Sequence, residues 1–169
     1  MSQITILLAS QFQNKTLGEK IKSEIESHQK YVKTIDLVDL NLPLYSSKSE
    51  NEQGIPTVIH DLFEQCLKTD AFVFVAPEYN GGIPPVLTNV IAWLSVTGKT
   101  WRDAFNTKKA GIATFSGGGG MQLVMNLRGQ LAYLGLTVIG LPILTNHKKP
   151  LKQDDLESFS KQLVQGLPN

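Results

Sequence analysis

Cysteine is nearly missing from this chain of 169 residues: Cys66 stands alone, which rules out an internal disulfide and any multi-cysteine metal cluster and points to a reducing compartment. Charge of one sign is missing too. With 16 Lys plus Arg against 15 Asp plus Glu the formal net charge is +1, and no long basic block exists, so neither nucleic acid nor an anionic membrane surface is an expected partner. Long apolar runs are absent as well. The opening "MSQITILLAS" has no positively charged lead and breaks at Gln11, and Gly81, Gly82, Pro84, Pro85 and Asn89 interrupt the uncharged stretch between Tyr79 and Gly98. The expectation is a soluble, cytoplasmic protein.

Hydrolytic machinery is lacking in the same way. There is no Gly-x-Ser-x-Gly elbow, and His28, His60 and His147 are scattered over two helices and a late loop, as surface or structural histidines are. Glu78 has no second carboxylate at useful spacing, and Cys66 on an amphipathic helix reads as a small buried hydrophobe. Any reaction here needs a cofactor to carry it.

What the chain does have is alternation. Ile4 to Ala9, Tyr31 to Leu37, Ala71 to Ala76, Lys109 to Phe115 and Thr137 to Leu144 read as strands, the last interrupted by Gly140 and Pro142. Between and after them run helical patterns: Leu17, Ile21 and Ile25; Pro56 to about Lys68; a helix opened by Pro85; Met121 to Leu134, closed by Gly135; and Gln153 to Val164. Residues 39–54 read as a long polar connection. The run "AFVFVA" is apolar throughout, as a central parallel strand covered on both faces must be. Residues 1–169 are therefore expected to form one α/β domain: a three-layer sandwich with a five-stranded parallel sheet in the flavodoxin-like order 2-1-3-4-5 and helices on both faces.

In such a sheet ligands gather at the carboxyl ends of the strands. Three loops lie on that edge: "SQFQNKT" after strand one, "PEYNGG" after strand three and "SGGGGMQ" after strand four. The first precedes a helix N-terminus, whose free N–H groups suit a phosphate; the competing reading is an ordinary cap on Asn14 or Thr16. The glycine run matches neither a Walker loop nor a dinucleotide fingerprint, and it is either a ligand loop or a flexible turn. Together the loops suit a flat heteroaromatic ring with a phosphate at one end.

The stretch "PEYNGGIPPVLTNVIAW", Pro77 to Trp93, resembles the NADPH-dependent FMN reductase family of flavodoxin-like proteins, which includes quinone, azo-dye and chromate reductases. "FSGGGGMQLVMNLRGQLAYLG", Phe115 to Gly135, is similar to the family's glycine-rich loop followed by a Leu-Arg helix. The resemblance implies FMN as cofactor, with its phosphate on the first loop at Ser10, Gln11, Lys15, Thr16 and Leu17. It places the ring against Pro77, Glu78, Tyr79, Asn80 and Gly81 and against Ser116, Gly117, Gly118 and Gly119. It also implies NADPH or NADH as cosubstrate, a small-molecule electron acceptor such as a quinone, azo compound or free flavin, no catalytic side chain and no metal.

Where the family reads Gly-Ser-x-Arg, this chain has Ala9-Ser10-Gln11-Phe12, and Lys15 is the nearby cation. Two other readings stand beside the reductase: a flavodoxin-type electron carrier without its own turnover, which the balanced charge disfavours, and a non-catalytic nucleotide-binding relative. Val86, Leu87, Val90, Ile91, Trp93, Leu94 and Val96 spread over more than one helical stripe, so one side is expected to meet the sheet and another a second copy of the chain, giving a homodimer or homotetramer.

Overall fold

The structure is a computed structural model that describes residues 2–168. The chain runs β1 (Gln3–Leu8), α1 (Gln13–Ser27), β2 (Tyr31–Asp36), α2 (Ser47–Gln53), α3 (Thr57–Leu67), β3 (Ala71–Val75) and α4 (Pro85–Leu94). A 3₁₀ turn at Trp101–Ala104 follows, then β4 (Lys109–Phe115), α5 (Met121–Tyr133), β5 (Thr137–Val138), β6 (Ile143–Thr145) and α6 (Gln153–Val164). All strand pairings are parallel and the order is β2-β1-β3-β4-β5, with β6 also on β4. This is the expected flavodoxin-like sandwich.

Every residue of β3 is buried, because both faces of the strand are covered. Ala71, Val73 and Val75 pack with Ile4, Ile6 and Leu8 under α1 and α6, which contribute Leu17, Ile21, Ile25, Leu156, Phe159 and Leu163. Phe72 and Phe74 enter the opposite core, shared with α3, α4 and α5. Cys66 lies fully inside that second core, and burial pushes its thiol up to about 12, as suits a packing residue and not a nucleophile. No helix among the described residues is long and apolar enough to cross a membrane.

The last strand is in two pieces. β5 pairs with Lys109 and Ala110, β6 with Ala113 to Phe115, and the chain between them leaves the ladder at Gly140 and Pro142, the latter having no N–H to offer it. Arg128 of α5 fills the break. Its guanidinium donates to the carbonyls of Val138 (3.3 Å), Ile139 (3.0 Å) and Gly140 (3.3 Å), which gives the arginine of the Leu-Arg motif a structural task.

Two expectations need correction. Residues 39–54 are not an unbroken loop, since α2 forms within them, started by Ser46 and Ser49 in a reciprocal capping box. Nor does the apolar spread on α4 require a partner chain: Leu87, Val90, Ile91, Trp93 and Leu94 are all buried within this one. Their second face is covered by the chain just before α2. The Trp93 indole and the Asn89 amide both donate to the Pro43 carbonyl, at 2.8 and 3.0 Å, Asn89 Oδ1 accepts the Tyr45 N–H at 2.7 Å, and the Tyr45 ring stands edge-on to Trp93.

Gly111 marks a close contact between layers. A Cβ there would lie 2.4 Å from Cζ of Phe159, whose ring from α6 rests directly on the β4 backbone. Gly111→Ala is expected to lower unfolding free energy by about 1–3 kcal/mol, the usual cost of overpacking a core, as a reduced midpoint in urea with an unchanged slope.

Candidate functional site

After β1 the chain turns through residues 9–12 and enters α1 earlier than expected, at Gln13. Phe12 occupies the N-cap position at φ 54, ψ −117, with its side chain 88% exposed and its carbonyl accepting the Thr16 N–H at 3.0 Å. No side chain caps this helix. Asn14, one of the two side chains read as an alternative cap, is buried and reaches across to β4 instead: its amide donates to the Phe115 carbonyl at 3.1 Å and its Oδ1 accepts the Phe115 N–H at 2.8 Å. The N–H groups of Gln13, Asn14 and Lys15, orphaned by helix geometry, therefore meet no acceptor among the described residues. Such an end attracts an anion.

Gln11 is held from the neighbouring strand, its amide donating to Asp36 Oδ2 at 2.6 Å, while Asp36 Oδ1 accepts the Val38 N–H at 3.0 Å. These two bonds set Gln11 and Val38 on one wall.

The second loop is a tight hairpin. Tyr79 and Gly82 exchange backbone hydrogen bonds at 3.2 and 2.9 Å around Asn80 (φ 51) and Gly81 (φ 73). Positive φ at both central residues is the demand that Asn-Gly meets in a two-residue turn of the primed kind. Glu78 fixes this hairpin to the third loop. Its N–H donates to Ser116 Oγ at 2.7 Å, and its Oε2 accepts the Leu123 N–H of α5 at 3.1 Å. Glu78 thus caps α5 from another part of the chain, because Gly120, the residue before that helix, has no side chain to do so. A further tie runs from the Asn126 amide to the Gly81 carbonyl at 3.0 Å.

In the third loop Ser116 is buried, with its hydroxyl shared between Thr114 Oγ1 (2.7 Å) and the Glu78 N–H. The Gly119 N–H donates back to the Ser116 carbonyl at 3.0 Å and closes a turn over the exposed Gly117 and Gly118. Gly120 is required sterically, since a Cβ there would come within 2.4 Å of Thr114 Cγ2.

Between the first two loops lies a cleft of about 470 Å³, inside the roughly 300–1,000 Å³ range of small-molecule sites. Ser10, Gln11, Pro77 and Tyr79 line it, as expected of them. The other anticipated residues do not. Thr16 and Leu17 border a second, smaller hollow; Glu78 and Asn80 border a third, of about 560 Å³, which shares Tyr79 and Pro85 with the cleft; Lys15, Gly81 and Ser116 to Gly119 border none of the three. Lys15, Thr16 and Leu17 are displaced because α1 starts at Gln13, so the helix turns them away from the loop.

Val38, Pro84, Pro85, Val86 and Phe115 line the cleft and were not singled out from the sequence. Val38 and Phe115 could have been, since each lies at the carboxyl end of a strand on the same edge.

The cleft is bordered by no Asp, Glu, Lys or Arg side chain. The groups with displaced pKa values lie elsewhere: Tyr45, raised by its bond to Glu50; Cys66; and Lys108, lowered by burial. Among the described residues no cluster of three His, Cys, Asp or Glu could hold a metal ion. The arrangement supplies apolar walls, neutral polar groups and helix amides, which fit a flat heteroaromatic ring that ends in a phosphate.

Quinone reductase of Escherichia coli (strain K12) is 35% identical over 104 residues, covering 60% of this chain and 54% of that protein. NADPH:quinone oxidoreductase of Arabidopsis thaliana is 31% identical over 126 residues, covering 73% and 62%. The matched stretches thus span little more than half the length of these relatives. Among solved structures, the Paracoccus denitrificans flavoenzyme FerB, an NAD(P)H:(acceptor) oxidoreductase, superposes with a TM-score of 0.78 at 18% identity, over 97% of this chain and 96% of that one. An azoreductase of Bacillus anthracis str. Sterne gives 0.66 at 18% identity, over 97% of each. At that identity the likeness is one of fold. The model of the family described as NADPH-dependent FMN reductase matches residues 4–150, and the chain belongs to that family.

Proposed function

We propose that this protein is an FMN-dependent oxidoreductase that passes electrons from NADPH or NADH to a small acceptor such as a quinone, an azo compound or a free flavin. The observation that carries the reading is the charge-free cleft set against an uncapped helix end: a neutral place for a ring beside unpaired donors for a phosphate. Relatives named quinone reductase and a fold neighbour named azoreductase support the acceptor class.

In this reading the phosphate is held by the amides at the start of α1 with Ser10 and Gln11 beside them, and Lys15, Thr16 and Leu17 contribute through the helix that carries them. Pro77 and Tyr79 border the ring, while Glu78, Asn80, Gly81 and the turn from Ser116 to Gly119 fix the shape of the loops around it. FMN, when bound, supplies the hydride and electron chemistry, so the chain's share is binding, orientation and exclusion of water. Glu78 acts as a clamp and not as an acid, since its carboxylate is engaged by the Leu123 N–H. Two or four copies are expected to associate through the outer face of α5, where Met121, Met125 and Tyr133 are exposed at four- and eight-residue spacing.

Titration of the purified protein with FMN is expected to show saturable binding, followed by bleaching of the oxidised flavin band when NADPH or NADH is added without oxygen. Binding with no bleaching by either nicotinamide favours an electron carrier, and absence of binding removes both flavin readings. Glu78→Gln, which keeps an oxygen for the Leu123 N–H, is expected to retain turnover. Glu78→Ala should lower stability by about 1 kcal/mol, as loss of a helix cap does, and weaken FMN binding. Loss of turnover in the glutamine variant at unchanged FMN affinity would make Glu78 an acid after all. Sedimentation at micromolar concentration is expected to give a mass of two or four chains, and a strict monomer removes that part of the proposal.

A further inference from the structure

Phe12 stands where the first loop meets α1, and its ring is 88% exposed although it lines the cleft. Its backbone lies at φ 54, ψ −117, outside the regions that L side chains commonly adopt, and for a bulky residue such a conformation is a genuine outlier. Asn41 and Asn80, which also have positive φ, belong to a type that tolerates it; a phenylalanine does not. Holding such a residue there costs folding free energy, and glycine would hold the same backbone without that strain.

The folded chain gains little from the ring in return. Left in water, the side chain belongs to neither core and contributes almost nothing to burial. The Phe12 carbonyl does serve the fold, since it accepts the Thr16 N–H at 3.0 Å, but a glycine has the same carbonyl. An aromatic residue at this position is therefore explained by something that covers its ring, and the cleft it lines is where that something binds.

The lining identifies the chemistry of the occupant. Val38, Pro84, Pro85 and Val86 line the same space, Tyr79 borders it from the second loop with its ring half-exposed, and no side chain of formal charge takes part. An apolar ring in such company gains by meeting flat apolar surface, which among the parts of an FMN only the isoalloxazine offers; the phosphate is left to the amides of Gln13 and Asn14. We infer that Phe12 is a ligand-binding, specificity-determining residue whose ring lies over the isoalloxazine, so that this chain holds flat aromatic ligands by apolar cover at a position where a cation would select for the phosphate. The inference rests on the proposed function for the identity of the ligand, and on Phe12 and the cleft for the contact.

The test measures stability in urea and the affinities for FMN and for riboflavin, which has the same ring and no phosphate, in the wild type and in Phe12→Gly, Phe12→Ala and Phe12→Leu. Phe12→Gly is expected to raise the urea midpoint, because it removes the strain, and to weaken FMN and riboflavin alike by about tenfold, as loss of one side chain's apolar cover does. Phe12→Ala, which keeps a strained Cβ, should lose as much affinity without the gain in stability, and Phe12→Leu should recover part of the affinity. A residue that merely supported the loop would instead lower stability and affinity together. Unchanged flavin affinity in Phe12→Ala overturns the inference. So does a loss confined to FMN, which would assign the ring to the phosphate end, and so does a lowered midpoint in Phe12→Gly. If the wild type binds neither flavin, the reductase reading fails, and titration with 1,4-naphthoquinone, a flat uncharged ring system, decides the inference: binding that weakens in Phe12→Ala supports it, and binding that is unchanged or absent overturns it.

Discussion

Complete burial of β3 is the constraint from which the rest of the molecule follows. A strand with every side chain covered leaves its backbone groups no water to bind, so β1 and β4 must pair with it along its whole length, and helices must cover both faces. Between Ala71 and Val75 the chain can present nothing polar to a ligand. The first groups free to do so come after Ala76, at the carboxyl edge, where the ends of β1 and β4 also lie. The chemistry gathers at that edge because the interior of the sheet leaves it nowhere else.

Of the helices that begin at this edge, α5 and α1 start differently. α5 follows a glycine with no capping side chain, and the carboxylate of Glu78 crosses from the neighbouring loop to accept its Leu123 N–H. α1 receives no such help. Asn14, in its first turn, is directed to both backbone groups of Phe115 and so joins the start of α1 to β4. One helix start receives a carboxylate and the other receives none, so an anion gains more at the start of α1. The same two side chains hold the three loops together, so the open end and the neutral cleft beside it are parts of one construction.

The sheet order and the edge that carries the site were legible because they depend on long apolar patterns and on the switch in strand order. Elements that owe little to apolar burial were harder to see. α2 buries no residue and begins with a serine pair, so its sequence has the composition of a loop. On α4 the periodicity reported how much of the helix is apolar, but not which chain would cover it; the answer lay in the Pro43 carbonyl and Tyr45, about fifty residues earlier. Within the cleft, Ser10, Gln11, Pro77 and Tyr79 come together because loop position alone brings them there. Lys15 does not join them, since a helix that starts at Gln13, inside the loop read from the sequence, carries it in its first turn.

Phe12 connects the open helix end with the cleft. The family's arginine would stand at this position, whereas here an exposed aromatic residue adopts φ 54, ψ −117, a backbone conformation that a non-glycine residue holds only when its surroundings impose it. The surroundings do so through the Phe12 carbonyl, which receives the first helical hydrogen bond of α1 from Thr16. The loop therefore keeps an open helix end without an arginine, and Gln13 and Asn14, whose N–H groups meet no acceptor among the described residues, line the cleft. The wall of Phe115 and Gln13 that the cleft shares with the smaller hollow is the wall to which Asn14 ties α1, through both backbone groups of Phe115, so the helix start and the cleft are fixed together.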